Sequence, residues 1–169
     1  MNAISDKILT AEQFLTMEKD EHAKYELIDG IICMSPSPTF EHQKVASKFV
    51  IELGKFFANH GCTVVHELDV RAGEDVFRPD VMVFCDDNLE LPEIVIEVLS
   101  PSTAKRDLGI KVAKYETAGI KEYWIVDIKS RTVTVHDYVN EVSMILTADE
   151  ILTTKLYPAM QIEIAKFFA

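Results

Sequence analysis

The chain has 169 residues, enough for one domain with a real hydrophobic core, and residues 1–169 are expected to fold as a single unit. Its 48% hydrophobic and 27% charged content is that of a globular protein, and no apolar run approaches the roughly 18 residues of a transmembrane helix. The 28 acidic residues outnumber 17 lysines and arginines, and the net charge of −11 argues against indiscriminate nucleic-acid binding, which needs clustered cations.

The opening MNAISDKILTAEQ lacks a basic-then-apolar signal pattern, so a cytoplasmic location is expected. Thr10 stands three residues before Gln13, a capping-box start for a short helix. In YELIDGIICM the Asp29-Gly30 pair separates two apolar runs, the strongest short hairpin signal. After the SPSP turn, Val45, Phe49, Leu53 and Phe56 recur at helical spacing between about Phe40 and His60, and Gly61 is placed to end that helix.

Three strand-like runs follow: CTVVHELDV, VFRPDVMVF and EIVIEVL. A second helix is expected over STAKRDLGIKVAKYETAG, capped by Ser102 or Thr103, striped by Leu108, Val112 and Tyr115, and closed by Gly119. EYWIVDI and RTVTVHDYV read as strands joined by a turn near Lys129-Ser130, with Asp127 at the strand exit and Trp124 in the core. The expected fold is α/β: a mixed sheet built as helix, three strands, helix, strand, with an added N-terminal hairpin and C-terminal strands. The second helix returns the chain parallel to the strand of Glu97. Cys33, Cys62 and Cys85 show no C-x-x-C spacing, and reduced buried thiols are expected rather than a disulfide or a zinc site.

Charges that interrupt apolar strands carry the chemical information. Asp80 follows Pro79 at the entrance of one strand, and Glu97 lies inside the next apolar run, where an unpaired carboxylate costs several kcal/mol. On neighbouring strands the two can share a face, and a shared cation relieves their repulsion. Each also has a structural reading: Asp80 as a strand-end residue, Glu97 neutralised by a buried Lys or Arg.

RPDVMVF, EIVIEVLSPST and RDLGIKVAKYETAGIKEYWIVD together resemble the Uma-type restriction endonuclease family, a bacterial branch of the PD-(D/E)XK nuclease superfamily. YELIDGIICMSPSP and the tail LYPAMQIEIAKFF resemble the two ends of that family, so the likeness runs from about Thr10 to Phe168. The resemblance implies a restriction-endonuclease-like core in which Asp80 and Glu97 bind Mg²⁺ or Mn²⁺ and help water attack a phosphodiester. Glu26 matches an additional N-terminal acid at the metal; a half-exposed strand position is its structural alternative. His42 matches a family histidine and reads as a structural residue, with a phosphate contact or a proton relay as its functional alternatives.

One departure stands out: Leu99 occupies the position where the superfamily pattern has a lysine. The resemblance supplies that cation, to stabilise the transition-state phosphate, from the following helix as Lys111, with Asp107 one turn earlier; Lys105 is the second candidate, and an exposed Lys111 paired to Asp107 is the structural alternative. Arg71, Arg78, Lys105, Arg106, Lys111 and Lys114 flank the motifs, either as a phosphate track or as solvated surface. Asp80, Glu97, Lys111 and Glu26 are therefore the candidate catalytic set, and His42, Lys105, Asp107 and Arg78 the candidate substrate contacts. The expected activity is metal-dependent endonucleolytic cleavage of DNA by a homodimer. The rival is a catalytically inactive nucleic-acid- or protein-binding module on the same fold, favoured by Leu99 and the net charge of −11. The lack of an aromatic cluster for stacking a sugar argues against a glycoside-hydrolysing acid pair.

Overall fold

The computed structural model describes residues 8–85 and 89–169. Helix α1 (Ala11–Thr16) opens with the expected capping box between Thr10 and Gln13. Strands β1 (Ala23–Ile28) and β2 (Ile31–Pro36) form the hairpin, with Asp29 and Gly30 at φ 51° and 75°, the positive values a two-residue turn of this kind requires. Helix α2 (Phe40–Phe57), capped by the Thr39 hydroxyl, buries His42, Val45, Phe49, Leu53 and Phe57 on one side.

The run from Cys62 yields five strands where three are expected: β3 (Cys62–His66), β4 (Val70–Ala72), β5 (Asp75–Phe77), β6 (Val81–Cys85) and β7 (Ile94–Val98). Two breaks are the cause: CTVVHELDV stops at Glu67, whose φ is 50°, before β4 begins, and the next run is interrupted at Arg78-Pro79-Asp80. Pro79 has no N–H to give a ladder, so VFRPDVMVF breaks there and its halves enter different sheets. Strands β8 (Glu122–Asp127), β9 (Thr132–Asp137) and β10 (Val142–Thr147) complete a six-stranded sheet of order β10-β9-β8-β7-β6-β3, in which β7 and β8 are the parallel pair. The hairpin builds a separate four-stranded sheet, β2-β1-β5-β4, and β11 (Ile151–Leu152) pairs with β12 (Ile162–Glu163). The architecture is the expected mixed α/β fold with a restriction-endonuclease-like core.

The crossover is two helices rather than one: α3 (Ala104–Asp107) and α4 (Ile110–Ala118). Gly109 stands at the break, where a Cβ would lie 2.7 Å from the Lys105 carbonyl oxygen. The break takes Leu108 off the expected apolar stripe to 58% exposure and turns Lys111 and Tyr115 inward. Gly119 ends α4 in the left-handed conformation at φ 89°.

The expectation of reduced thiols is overturned for two cysteines. Antiparallel pairing sets Cys62 directly opposite Cys85, with Cα atoms 4.0 Å apart, and they form a disulfide; Cys33 is free. The central strands β6, β7 and β8 of the six-stranded sheet are buried on both faces. Ile94, Ile96 and Val98 of β7 pack in the cluster beneath α2, and Val95 packs in the opposite cluster with Tyr115 and Tyr123. Strand alternation puts Glu97 on that second side, toward α4.

Candidate active site

Val81 of β6 lies opposite Ile96 of β7, so Asp80 and Glu97 are the next facing positions. Asp80 Oδ1 accepts from Lys24 Nζ at 2.9 Å, and Oδ2 accepts from the Val98 backbone N–H at 2.8 Å. His42 Nε2 lies 3.1 Å from the same Oδ2 and 2.9 Å from the Val98 carbonyl oxygen. Two acceptors face Nε2, so that nitrogen carries the proton and donates. Among the described residues, His42 Nδ1 is buried without a partner.

Glu97 is held from two sides. Its Oε1 accepts from Lys111 Nζ at 2.7 Å and the Tyr115 hydroxyl at 3.0 Å, and its Oε2 lies 3.6 Å from Lys24 Nζ. Lys111 also donates to Glu26 Oε1 at 2.8 Å and stands 3.1 Å from Asp107 Oδ1. Glu26 Oε1 accepts in addition from the Arg78 backbone N–H at 3.1 Å.

The electrostatics follow from this packing. Burial opposes ionisation of Asp80, yet the Lys24 charge and the His42 hydrogen bond hold its carboxyl well below the usual range. Burial pushes Glu97 up to about 7, against the pull of Lys111 and Lys24. Glu26, though buried, is lowered by Lys111 and Lys24. Burial works against a charged Lys24 and Lys111, but the surrounding carboxylates raise both. His42 is raised by its hydrogen bond to Asp80 and that group's charge, in spite of burial.

The structure thus brings together Asp80, Glu97, Lys111, Glu26, Asp107 and His42 among the expected site residues. Arg78 reaches the site through its backbone N–H, and its side-chain Nε donates to the Glu67 carbonyl at 3.1 Å. Lys105 is exposed on α3. The expected basic track is largely paired with acids: Arg71 meets Glu74, Lys114 meets Asp29 and Asp75, and Lys111 is fully buried. Lys24 and Tyr115 are the contacts that sequence reasoning misses. For Lys24 the one local signal is its two-residue spacing from Glu26, which puts both on one face of β1.

A cleft of about 700 Å³ opens over this cluster, lined among others by Lys24, His42, Arg78, Asp80, Leu99 and the hydroxyl-bearing Ser100, Ser102 and Thr103. Glu97, Lys111 and Glu26 lie behind its wall. The Asp80 and Glu97 carboxylates with the Val98 carbonyl offer only hard oxygen donors, the kind Mg²⁺ and Mn²⁺ take. Lys24 Nζ and His42 Nε2 now meet these oxygens, and among the described residues no three His, Cys, Asp or Glu side chains form a complete metal cluster. A Mg²⁺ ion bound through one or two carboxylates fills its other positions with water and substrate oxygens, so the pair fits as a donor set.

Residues 11–165 match the family described as "Uma2: Putative restriction endonuclease". Two Synechocystis proteins described as uncharacterized, slr1290 and sll1609, are 26% identical over 143 residues and 29% identical over 145. Those alignments cover 76% and 75% of this chain, and 73% and 79% of the relatives. A crystal structure titled as that of "a putative nuclease belonging to DUF820 from Anabaena variabilis" superposes with a TM-score of 0.81 at 21% identity, covering 95% of this chain and 97% of that one. That likeness is one of fold.

Proposed function

Because this chain belongs to the Uma2 family of restriction-endonuclease-like proteins, we propose that it hydrolyses phosphodiester bonds, in DNA, with Mg²⁺ or Mn²⁺ held by Asp80 and Glu97. The observation that carries this reading is the meeting of these two acids, from adjacent strands, around one ammonium at the edge of a cleft. Four carboxylates, from Asp80, Glu97, Glu26 and Asp107, cluster around two ammoniums, from Lys24 and Lys111. A divalent cation at the Asp80–Glu97 pair would hold the Glu97 carboxyl ionised against its burial.

Bound there, the metal would lower the pKa of a coordinated water and offset charge on the attacked phosphate. The chain's own groups do the positioning. The Val98 N–H and His42 Nε2 aim Asp80, and Lys111 and Tyr115 aim Glu97 from behind. Glu26 is an auxiliary acid whose contact is to Lys111, and Lys111 stabilises the anionic site from within. A homodimer, acting in the cytoplasm, would let two such sites meet the two strands of a duplex.

The test is cleavage of plasmid and short duplex DNA with Mg²⁺ by wild type, Asp80→Asn and Glu97→Gln. The expected result is a loss of about 10²-fold or more in each folded variant. Unchanged cleavage in both variants would refute the assignment. A wild type that binds DNA but neither cleaves it nor takes up metal would favour the inactive binding module.

A further inference from the structure

We propose that Lys24 is a displaceable counter-ion: it closes the Asp80–Glu97 pair in the resting protein and, when those carboxylates take up a divalent cation, turns into the cleft to bind the substrate phosphate. This inference rests on the metal-dependent reading above and adds the residue that meets the phosphate.

The two lysines of the site differ in what they can reach. Lys111 has a side chain only 1% exposed, is fixed by three carboxylates within 3.1 Å, and lies outside the cleft lining. No substrate can touch it without opening the fold. Lys24 has a side chain 17% exposed and lines the cleft. It holds Asp80 at 2.9 Å but Glu97 only at 3.6 Å, a charge contact too long for a hydrogen bond.

An ammonium and a divalent ion compete for the same carboxylate oxygens, and the ammonium stands at the end of a flexible four-carbon stem with rotatable donors. Released from the pair, Lys24 Nζ has the cleft to move into. The other Lys or Arg side chain on the described cleft wall, Arg78, is committed through Nε to the Glu67 carbonyl at 3.1 Å and to Asp69 at 3.5 Å. Lys24 is therefore the cation beside Asp80 with freedom to follow an entering phosphate. Its root on β1 two residues from Glu26 keeps it over the acids in either position.

The test begins with wild-type protein, labelled with an amine-reactive reagent with and without saturating Mn²⁺ and read by mass spectrometry. Lys24 is expected to react about tenfold faster with Mn²⁺, as befits loss of a close charge pair, while Lys111 stays unreactive in both. Calorimetry with Mn²⁺ should then show Lys24→Met binding about tenfold more tightly than wild type. The same variant should cleave duplex DNA about 10²-fold more slowly at saturating metal. Labelling of Lys24 that ignores Mn²⁺ while wild type binds the ion, or a folded Lys24→Met with unchanged or weaker Mn²⁺ affinity, would overturn the inference and leave the metal-dependent reading standing. A wild type that takes up no Mn²⁺ would overturn both.

Discussion

Replacing Lys111 by Met tests the buried half of the site, because the stem length survives and only the ammonium is lost. Lys111 is 0% exposed, and its Nζ stands 2.7, 2.8 and 3.1 Å from carboxylate oxygens of Glu97, Glu26 and Asp107. Removing one partner of a buried charge cluster costs about 3–5 kcal/mol, since the other charges stay buried. The cheapest escape for a stranded glutamate is to take a proton. Relative to an unfolded glutamate, that proton costs about 5 kcal/mol at pH 8 and about 1 kcal/mol at pH 5. The sign follows: carboxylates whose folded pKa is raised are stable below the unfolded value and lose stability as pH rises through the folded one. Lys111→Met should therefore lose about 3–5 kcal/mol at pH 8 and about 1–2 kcal/mol at pH 5. Trp124, the single tryptophan and fully buried, reports urea unfolding by fluorescence. A loss below about 1 kcal/mol at pH 8, or equal losses at both pH values, would refute the reasoning.

Two further perturbations probe parts of the fold away from the acids. The Cys62–Cys85 disulfide closes a loop across a sequence separation of 23, for which chain entropy predicts about 3 kcal/mol; reduction should lower stability by that order, and alkylation of both thiols in unfolded, unreduced protein would count against the bond. Glu122, fully buried, is pushed up to about 7 by burial, against the pull of hydrogen bonds from Trp124 Nε1, the Thr154 hydroxyl and the Leu156 backbone N–H. Its contribution is fully present below the unfolded pKa and is lost as pH rises through about 7. Glu122→Gln should consequently stabilise by about 1–3 kcal/mol at pH 8 and leave stability unchanged at pH 4, measured by the same urea titration; a variant that is weaker at pH 8 would show that the ionised form is the favoured one.

Some of this site is legible in the chain and some is not, for physical reasons. Glu97 stands out because a carboxylate inside IVIEVL has no cheap state without a partner, and the partner expected from the next helix, Lys111, is found at 2.7 Å. The hairpin, the long helix and the parallel crossover are likewise local patterns of turn residues and period. Lys24 is hidden because its partner Asp80 is 56 residues away and the contact depends on how β1 sits against β6, which no local pattern encodes. The disulfide is hidden for the same reason, since Cys62 and Cys85 meet only in the β3–β6 register. The break between α3 and α4 carries no proline to mark it; Gly109 sits there, so close to the Lys105 carbonyl that only glycine fits.

The order of charges from the cleft inward explains why one lysine can exchange and the other cannot. Asp80, Lys24, Glu97, Lys111 and the pair Glu26 and Asp107 form an alternating series, with Glu97 touching Lys24 through one oxygen and Lys111 through the other. Outermost, Lys24 has a side chain 17% exposed at the cleft, so water and an entering cation can take its place beside the acids. Innermost, Lys111 has no solvent to replace its carboxylates, so its departure would strand buried charge. With Lys111 and Tyr115 fixing Oε1 from behind, Glu97 Oε2 can change its cation without changing its place. A site built this way separates the work of holding the acids from the work of meeting a substrate, and puts the second on the cleft side.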